Sequence, residues 1–113
     1  MDMEKVVIVS GVRTPIGSFG GSLRDVPVEK LGAVVLNEAL KRAGIEPESV
    51  DDVIAGQSYQ GGECANGARV ALLEAGWPES VPGVTLDRRC CSGLDTLIFG
   101  AMEIMTGNAK VVA

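Results

Sequence analysis

Short continuous runs of apolar and β-branched residues recur along the chain. They occupy residues 6–9, 52–56 and 81–86, and a fourth run begins at residue 110. Runs of this length and composition are typical of strands that are buried on both faces. The pattern therefore predicts four short strands.

Longer segments between these runs carry apolar residues at every third or fourth position. This spacing predicts helices over residues 27–43, 66–75 and 94–105. Pro27 suits the first turn of a helix, and Gly44 follows two basic residues as a stop signal. Strands that alternate with helices indicate a parallel sheet, so the predicted fold class is α/β with the element order βαβαβαβ.

The third predicted helix is apolar around most of its circumference. Its apolar residues are Leu94, Leu97, Ile98, Phe99, Ala101, Met102, Ile104 and Met105. Such a helix is expected to be buried between two layers rather than to lie on top of one. Because the other predicted elements cannot easily supply both layers, we expect the fold to be incomplete within residues 1–113.

Composition and charge exclude several classes of function. The 113 residues suffice for one domain, and 10 Lys and Arg against 15 Asp and Glu give a net charge of -5. This balance argues against nucleic acid and anionic membranes as partners. No apolar segment has the length of a secretory signal or a membrane span, so a reducing, cytoplasmic compartment is expected. Three cysteines without any histidine predict neither a disulfide framework nor a metal site.

Two adjacent cysteines stand between the third predicted strand and the apolar helix. Cys90 and Cys91 are followed by Ser92 and Gly93. At the start of a helix, unpaired N–H groups and the helix dipole stabilise a thiolate relative to a thiol, which makes Cys90 a candidate nucleophile. The alternatives are a buried structural thiol, Cys91 as the nucleophile, and a vicinal disulfide between the two. Cys64 has no base or ligand partner in view and is expected to be incidental.

Residues 85–94, with the sequence TLDRRCCSGL, resemble the acyl-enzyme motif of thiolases, N-x-x-C-[G/A/S]-S-G. Five other segments match the beginning of thiolases in order and spacing, namely residues 6–17, 19–23, 53–57, 66–69 and 104–107. The resemblance covers essentially the whole chain. It implies that residues 1–113 are the N-terminal part of the thiolase N-terminal domain, within a layered αβαβα fold.

The resemblance also implies roles for the residues of the motif. Cys90 would attack the thioester of an acyl-CoA and hold the acyl group, and its backbone N–H would help to bind the oxyanion. Cys91 occupies the small-residue position and is expected to pack. Asp87 stands where Asn is usual, and Arg89 stands where a small apolar residue is common. Arg88 and Arg89 could meet coenzyme A phosphates, although a solvated or subunit-contact role is the favoured interpretation.

Other catalytic parts of thiolases lie later in the enzyme. A histidine of a G-H-P segment activates the nucleophile, and a cysteine of a C-x-G segment moves a proton on the second substrate. The loop region that holds coenzyme A is also later. Because this chain has no histidine, we expect that it cannot turn over alone and needs a C-terminal half or a partner chain.

The activity implied by the resemblance is Claisen condensation of acetyl-CoA or thiolysis of a 3-ketoacyl-CoA, in fatty acid metabolism. The resemblance further implies a homo-oligomer, acyl-CoA as the substrate and no covalently bound cofactor. The alternative from another class is a non-catalytic thiolase-like module that docks on a partner chain. A weaker alternative is another condensing enzyme of the same fold, such as a ketoacyl synthase.

Overall fold

Three helices and two strands alternate along residues 2–113, which are the residues that a computed structural model of the chain describes. The elements are α1 (Val28–Ala43), β1 (Val53–Gly56), α2 (Gly67–Glu74), β2 (Gly83–Leu86) and α3 (Ser92–Met105), with 3₁₀ turns at Pro47–Ser49 and Arg89–Cys91. The three predicted helices are confirmed, and so is the α/β fold class.

The two strands form a parallel pair that is joined through α2. The register runs from Val53 opposite Gly83 to Gly56 opposite Leu86. Parallel strands need a crossover connection, and α2 supplies it. Both strands therefore end at the same edge of the sheet, and the two segments that follow them lie close together there.

The predicted fourth strand has the expected direction but is very short. Residues 111–113 run beside β1, where Val112 makes a single parallel bridge with Asp52. The Ile54 N–H donates to the Ala113 carbonyl at 2.8 Å, whereas the neighbouring Val53 N–H donates to Pro82, next to β2. Because successive N–H groups of a strand point in opposite directions, residues 111–113 lie on the edge of β1 away from β2.

The predicted strand at residues 6–9 is wrong for this structure. The segment has no regular secondary structure and pairs with no strand among the described residues, and Ile8 is 81% exposed. A cleft of about 310 Å³ has residues of this segment on one wall and Val112 and Ala113 on another. An apolar run indicates that its side chains are more stable when buried. A strand also needs a neighbouring backbone within hydrogen-bond distance, and the apolar run alone does not predict that neighbour.

Helix α1 begins and ends at the signals in the sequence. Pro27 precedes the first turn with an extended backbone, and Gly44 closes the helix at φ 68°. The Ile45 N–H donates to the Leu40 carbonyl at 3.1 Å and satisfies one of the last free carbonyls. Glycine suits this position because a side chain would strain a left-handed backbone.

A buried core cluster lies where α1 and α2 pack on the sheet. Its members are Leu40, Val50, Val53, Ala68, Leu72, Trp77 and Val81. The two helices approach so closely that a Cβ at Gly32 would lie 2.8 Å from the Ala71 Cβ. The buried Trp77 ring donates its Nε1–H to Asn37 Oδ1 at 2.8 Å, which satisfies its polar atom.

Helix α3 contacts β1 and β2 but leaves much of its apolar side chains uncovered. Its exposed residues form what we call the α3 apolar surface: Leu94, Leu97, Ile98, Phe99 and Met102. Residues 2–113 therefore supply no second layer over this surface, as the apolar pattern of the helix led us to expect. Within this described range, no helix has both the length and the apolar character needed to cross a membrane.

Candidate active site

The carboxyl ends of β1 and β2 bring their following loops against the start of α3. The Gln57 N–H, just after β1, donates to the Leu86 carbonyl at 3.0 Å. A Cβ at Gly56 would lie 2.7 Å from the Ser92 carbonyl carbon, so only glycine allows this approach. In parallel sheets such carboxyl ends are where functional groups gather. The turn that precedes α3 is therefore placed over the end of the sheet.

Cys90 lies in the middle of this turn. The 3₁₀ helix spans Arg89–Cys91 and continues directly into α3 at Ser92. Cys90 is an exposed free thiol. The prediction that a thiol stands at the mouth of a helix is therefore confirmed in its geometry, and the positive end of the helix dipole lies beside it.

Two serine hydroxyls form hydrogen bonds with the backbone of the turn. Ser92 is buried, accepts a hydrogen bond from the Arg88 N–H at 2.8 Å and donates to the Arg89 carbonyl at 2.8 Å. Ser58, in the loop after β1, donates to the same Arg89 carbonyl at 3.0 Å. One carbonyl of the turn thus receives two hydroxyl donors from different parts of the chain.

Arg89, immediately before the candidate nucleophile, has a left-handed backbone. Its φ is 51°, which costs free energy for a residue with a side chain. Its N–H donates to Asp87 Oδ1 at 2.9 Å, and its guanidinium pairs with Asp87 Oδ2 at 2.8 Å. The guanidinium carbon also lies 4.8 Å from the centre of the Tyr59 ring. These contacts offset the strain of the conformation.

The prediction that Cys91 packs is wrong for residues 2–113, because Cys91 is exposed like Cys90. The two cysteines differ in their backbones. The Cys91 N–H donates to the Arg88 carbonyl at 3.1 Å, whereas the Cys90 N–H has no hydrogen-bond acceptor within the described part of the chain.

Both arginines beside the cysteines are paired with acids. Arg88 forms an ion pair with Asp95, and Arg89 forms one with Asp87. The guanidinium groups are largely exposed, at 68% and 63% of the side chain. A solvated role fits these contacts better than phosphate binding, because each positive charge already faces a carboxylate.

Cys64 belongs to the scaffold. It is buried near the start of α2, where its sulfur is 4.0 Å from the position of a Cβ at Gly67. Burial, together with the nearby Glu29 carboxylate, raises the pKa of the Cys64 thiol. A thiol in this environment stays protonated and is a poor nucleophile, in line with its expected incidental role.

Sequence reasoning missed Ser58 and Tyr59 as parts of this site. Both lie in a loop with no catalytic pattern of its own. Their one signal was position, because the loop follows a strand that ends at the same sheet edge as the cysteine turn. Within residues 2–113, no group of three or more His, Cys, Asp or Glu side chains is arranged to hold a metal ion.

Comparison with known proteins identifies the fold around this turn. Residues 6–113 match the family model described as thiolase, N-terminal domain. The chain belongs to the thiolase family. The match contains the whole cysteine turn and all of the helices and strands, so the family resemblance seen in the sequence is confirmed.

Individual thiolases match over nearly the entire chain. An acetyl-CoA acetyltransferase from Cupriavidus necator is 48% identical over 110 residues, which is 97% of this chain and 28% of that protein. An acetyl-CoA acetyltransferase from Schizosaccharomyces pombe is 45% identical over 108 residues, covering 96% of this chain and 27% of that protein.

A solved structure shows the same backbone. The crystal structure of the Bacillus anthracis acetyl-CoA acetyltransferase superimposes with a TM-score of 0.92 and 48% identity. The superposition covers 98% of this chain and 28% of that chain. The chain therefore spans between a quarter and a third of the length of the thiolases that it matches.

Proposed function

We propose that this chain carries the nucleophile of an acyl-CoA C-acyltransferase of the thiolase type, and that the nucleophile is Cys90. The observation that carries the proposal is the Cys90 turn, where an exposed thiol and an N–H that has no acceptor among residues 2–113 lie together just before α3. Family membership supplies the reaction class, since the related proteins are acetyl-CoA acetyltransferases.

The proposed step is transfer of an acyl group from coenzyme A to Cys90. The Cys90 thiolate attacks the thioester carbonyl carbon, a bond forms between Sγ and that carbon, and negative charge develops on the carbonyl oxygen. The bond from carbon to the coenzyme A sulfur then breaks. Coenzyme A leaves as a thiolate and takes up the proton that the Cys90 thiol lost. A helix start and an N–H donor both stabilise the charges in this step.

Cys90 is preferred over Cys91 because of the backbone. An oxyanion needs a donor that is not already committed, and the Cys91 N–H is bonded to the Arg88 carbonyl. The Cys90 N–H, by contrast, has no acceptor among the residues that the structure describes and lies next to a thiol. The substrate in this proposal is an acyl-CoA, and the reaction needs no covalently bound cofactor.

The chain by itself should not complete the reaction. Thiolases use a histidine to activate the nucleophile and a second cysteine to move a proton, and this chain contains no histidine. We therefore propose that residues 1–113 act with the remainder of a thiolase, as the N-terminal part of its N-terminal domain. Measurable thiolysis of acetoacetyl-CoA by the purified 113-residue chain would contradict this.

The test of the nucleophile uses a chimera, in which residues 1–113 replace the matching segment of the Bacillus anthracis enzyme. After incubation with acetyl-CoA, mass spectrometry of the digested protein should find an acetyl group on Cys90. The matched variants are Cys90→Ala, which should lose the acetyl group, and Cys91→Ala, which should keep it. An acetyl group on Cys91 in the Cys90→Ala chimera would contradict the proposal, because it would show that Cys91 is the nucleophile.

The second candidate function is a non-catalytic module that docks on a partner chain. It is favoured by the α3 apolar surface, on which Leu94 is 64% exposed and Leu97 is 59% exposed. Iodoacetamide separates the two functions. In the chimera, selective alkylation of Cys90 at neutral pH supports the enzyme, whereas equally slow alkylation of all three cysteines supports the module.

A further inference from the structure

Three donors hold the carbonyl end of the peptide that links Arg89 to Cys90: two serine hydroxyls and the backbone N–H of Ser92. Ser58 Oγ and Ser92 Oγ donate to the Arg89 oxygen at 3.0 and 2.8 Å. The Arg89 carbonyl and the Cys90 N–H belong to one planar trans peptide and so point in opposite directions. Fixing the carbonyl therefore fixes the direction of the Cys90 N–H.

The other side of Arg89 is held by Asp87. One carboxylate oxygen accepts the Arg89 N–H at 2.9 Å, and the other binds the guanidinium at 2.8 Å. The guanidinium carbon also lies over the Tyr59 ring, 4.8 Å from its centre. With its N–H and its carbonyl both engaged, Arg89 stays at its left-handed φ of 51° although that region is unfavourable for arginine.

We propose that Ser58 and Asp87 are positioning residues that hold Arg89 in this conformation and so aim the Cys90 N–H at the oxygen of the bound thioester. The proposal rests on the proposed function of Cys90 and adds two residues to it. Neither residue touches the reacting atoms. Each acts through Arg89, Ser58 on its carbonyl and Asp87 on its N–H and side chain.

Loss of Ser58 should weaken oxyanion binding without removing the donor. The hydroxyl and the backbone N–H of Ser92 still donate to the Arg89 carbonyl in a Ser58→Ala variant, so the peptide would gain freedom rather than turn away. We expect the rate of acyl transfer to Cys90 in the chimera to fall about tenfold, which is less than the roughly 10²- to 10³-fold that follows removal of an oxyanion donor. KM for acetyl-CoA should change little, because binding of the ground state does not use the charge on the oxygen.

Alkylation by iodoacetamide distinguishes a positioning role of Ser58 from a general structural role. Alkylation displaces iodide and creates no oxyanion, so it needs the Cys90 thiolate but not the direction of the Cys90 N–H. In Ser58→Ala the alkylation rate of Cys90 should stay within about twofold of wild type, while acyl transfer falls about tenfold. Ser80→Ala, which removes an exposed hydroxyl, is the matched control and should change neither rate.

Conservative variants test the two contacts one at a time. Ser58→Thr keeps a hydroxyl donor and should restore most of the acyl-transfer rate. Asp87→Asn keeps an oxygen that can accept the Arg89 N–H, whereas Asp87→Ala removes it, so only Asp87→Ala should lower acyl transfer as Ser58→Ala does. Equal losses in alkylation and acyl transfer would show a merely structural role and overturn the proposal.

The outcome for the wild-type chimera separates this proposal from the function on which it rests. If wild-type chimera that elutes as a folded species forms no acetyl-Cys90, the proposed function fails, and the positioning role fails with it. If wild type is acetylated and Ser58→Ala and Asp87→Ala are acetylated at the same rate, only the positioning role fails.

Discussion

The buried core cluster and the α3 apolar surface contain similar residues in opposite environments. On the α1 and α2 side of the sheet, Leu72 is fully buried at 0% exposure and Trp77 at 4%. On the α3 side, Leu97 is 59% exposed and Phe99 is 39% exposed. The difference shows that an apolar helix contributes to stability only as far as another layer covers it, because the hydrophobic effect scales with the area removed from water.

The largest contrast is expected between two leucine truncations. Leu72→Ala should lower the free energy of unfolding by about 2–5 kcal/mol, because it removes a fully buried side chain and leaves a cavity. Leu97→Ala, its matched control on the α3 apolar surface, should change it by no more than about 0.5 kcal/mol. Urea denaturation of the chain followed by circular dichroism measures both. Similar losses for the two variants would mean that α3 is covered in solution.

A smaller contrast is expected for two side-chain hydrogen bonds. Asn37→Ala removes the acceptor of the buried Trp77 Nε1–H and should cost about 1–3 kcal/mol, because that donor is left without a partner. Thr96→Ala removes a 2.7 Å hydrogen bond from Thr96 to the Gly93 carbonyl on α3, where water can replace it. Its cost should be within about 0.5 kcal/mol. Equal losses in the free energy of unfolding for Asn37→Ala and Thr96→Ala, measured by urea denaturation, would contradict the contrast between the buried core cluster and α3.

The weakest effects are expected where the two sides meet, at the start of β1 and the end of α3. The Lys110 and Val111 N–H groups donate to Asp51 and lower the pKa of its carboxyl. A lowered pKa in the folded state adds stability above the ordinary pKa, and this stability is lost as the pH falls toward the folded value. Asp51→Asn should therefore destabilise the chain at pH near 7, and the difference from wild type should shrink below about pH 4.

Glu103 should show the opposite dependence. Its Oε2 atom is buried without a hydrogen-bond partner, and burial together with the nearby Asp52 and Asp51 raises the pKa of its carboxyl. A raised pKa removes stability as the pH rises above the ordinary value, because the folded state resists ionisation. Glu103→Gln should thus stabilise the chain near neutral pH and have little effect at low pH. Urea denaturation from low to neutral pH measures the free energy of unfolding of both variants. If Asp51→Asn and Glu103→Gln change it in the same direction near neutral pH, the opposite pKa shifts of the two carboxyls are contradicted.

The local elements were predictable because their signals are local. Helix α1 ends at Ala43 with Gly44 as its C-cap, and α2 lies within the predicted residues 66–75. The positions of β1 and β2 along the chain were predictable for the same reason. The segment at residues 6–9 was not, because pairing depends on which backbone edge lies beside it.

The candidate site also contains residues that the sequence predicted and residues that it did not. Cys90 followed from a motif of adjacent residues and from its place before a helix. Ser58 did not, because it is 31 residues from Arg89 along the chain and reaches it only through the close approach of Gly56 to Ser92. The exposure of Cys91 was also mispredicted, since packing depends on which other chain segments cover the turn.

The sequence alone determined the thiolase family, the α/β class, the helix boundaries and the choice of Cys90 as the candidate nucleophile. The class and the helices follow from periodicity and capping residues, whereas the family and the choice of Cys90 over Cys91 follow from the resemblance of short segments to thiolases. All of these signals act over a few residues. Only the tertiary structure decided that the Arg89 carbonyl receives two serine hydroxyls. It also decided that, among residues 2–113, the Cys90 N–H has no acceptor and the α3 apolar surface stays exposed. Those features depend on distances between segments that are far apart in sequence, and no local pattern encodes such distances.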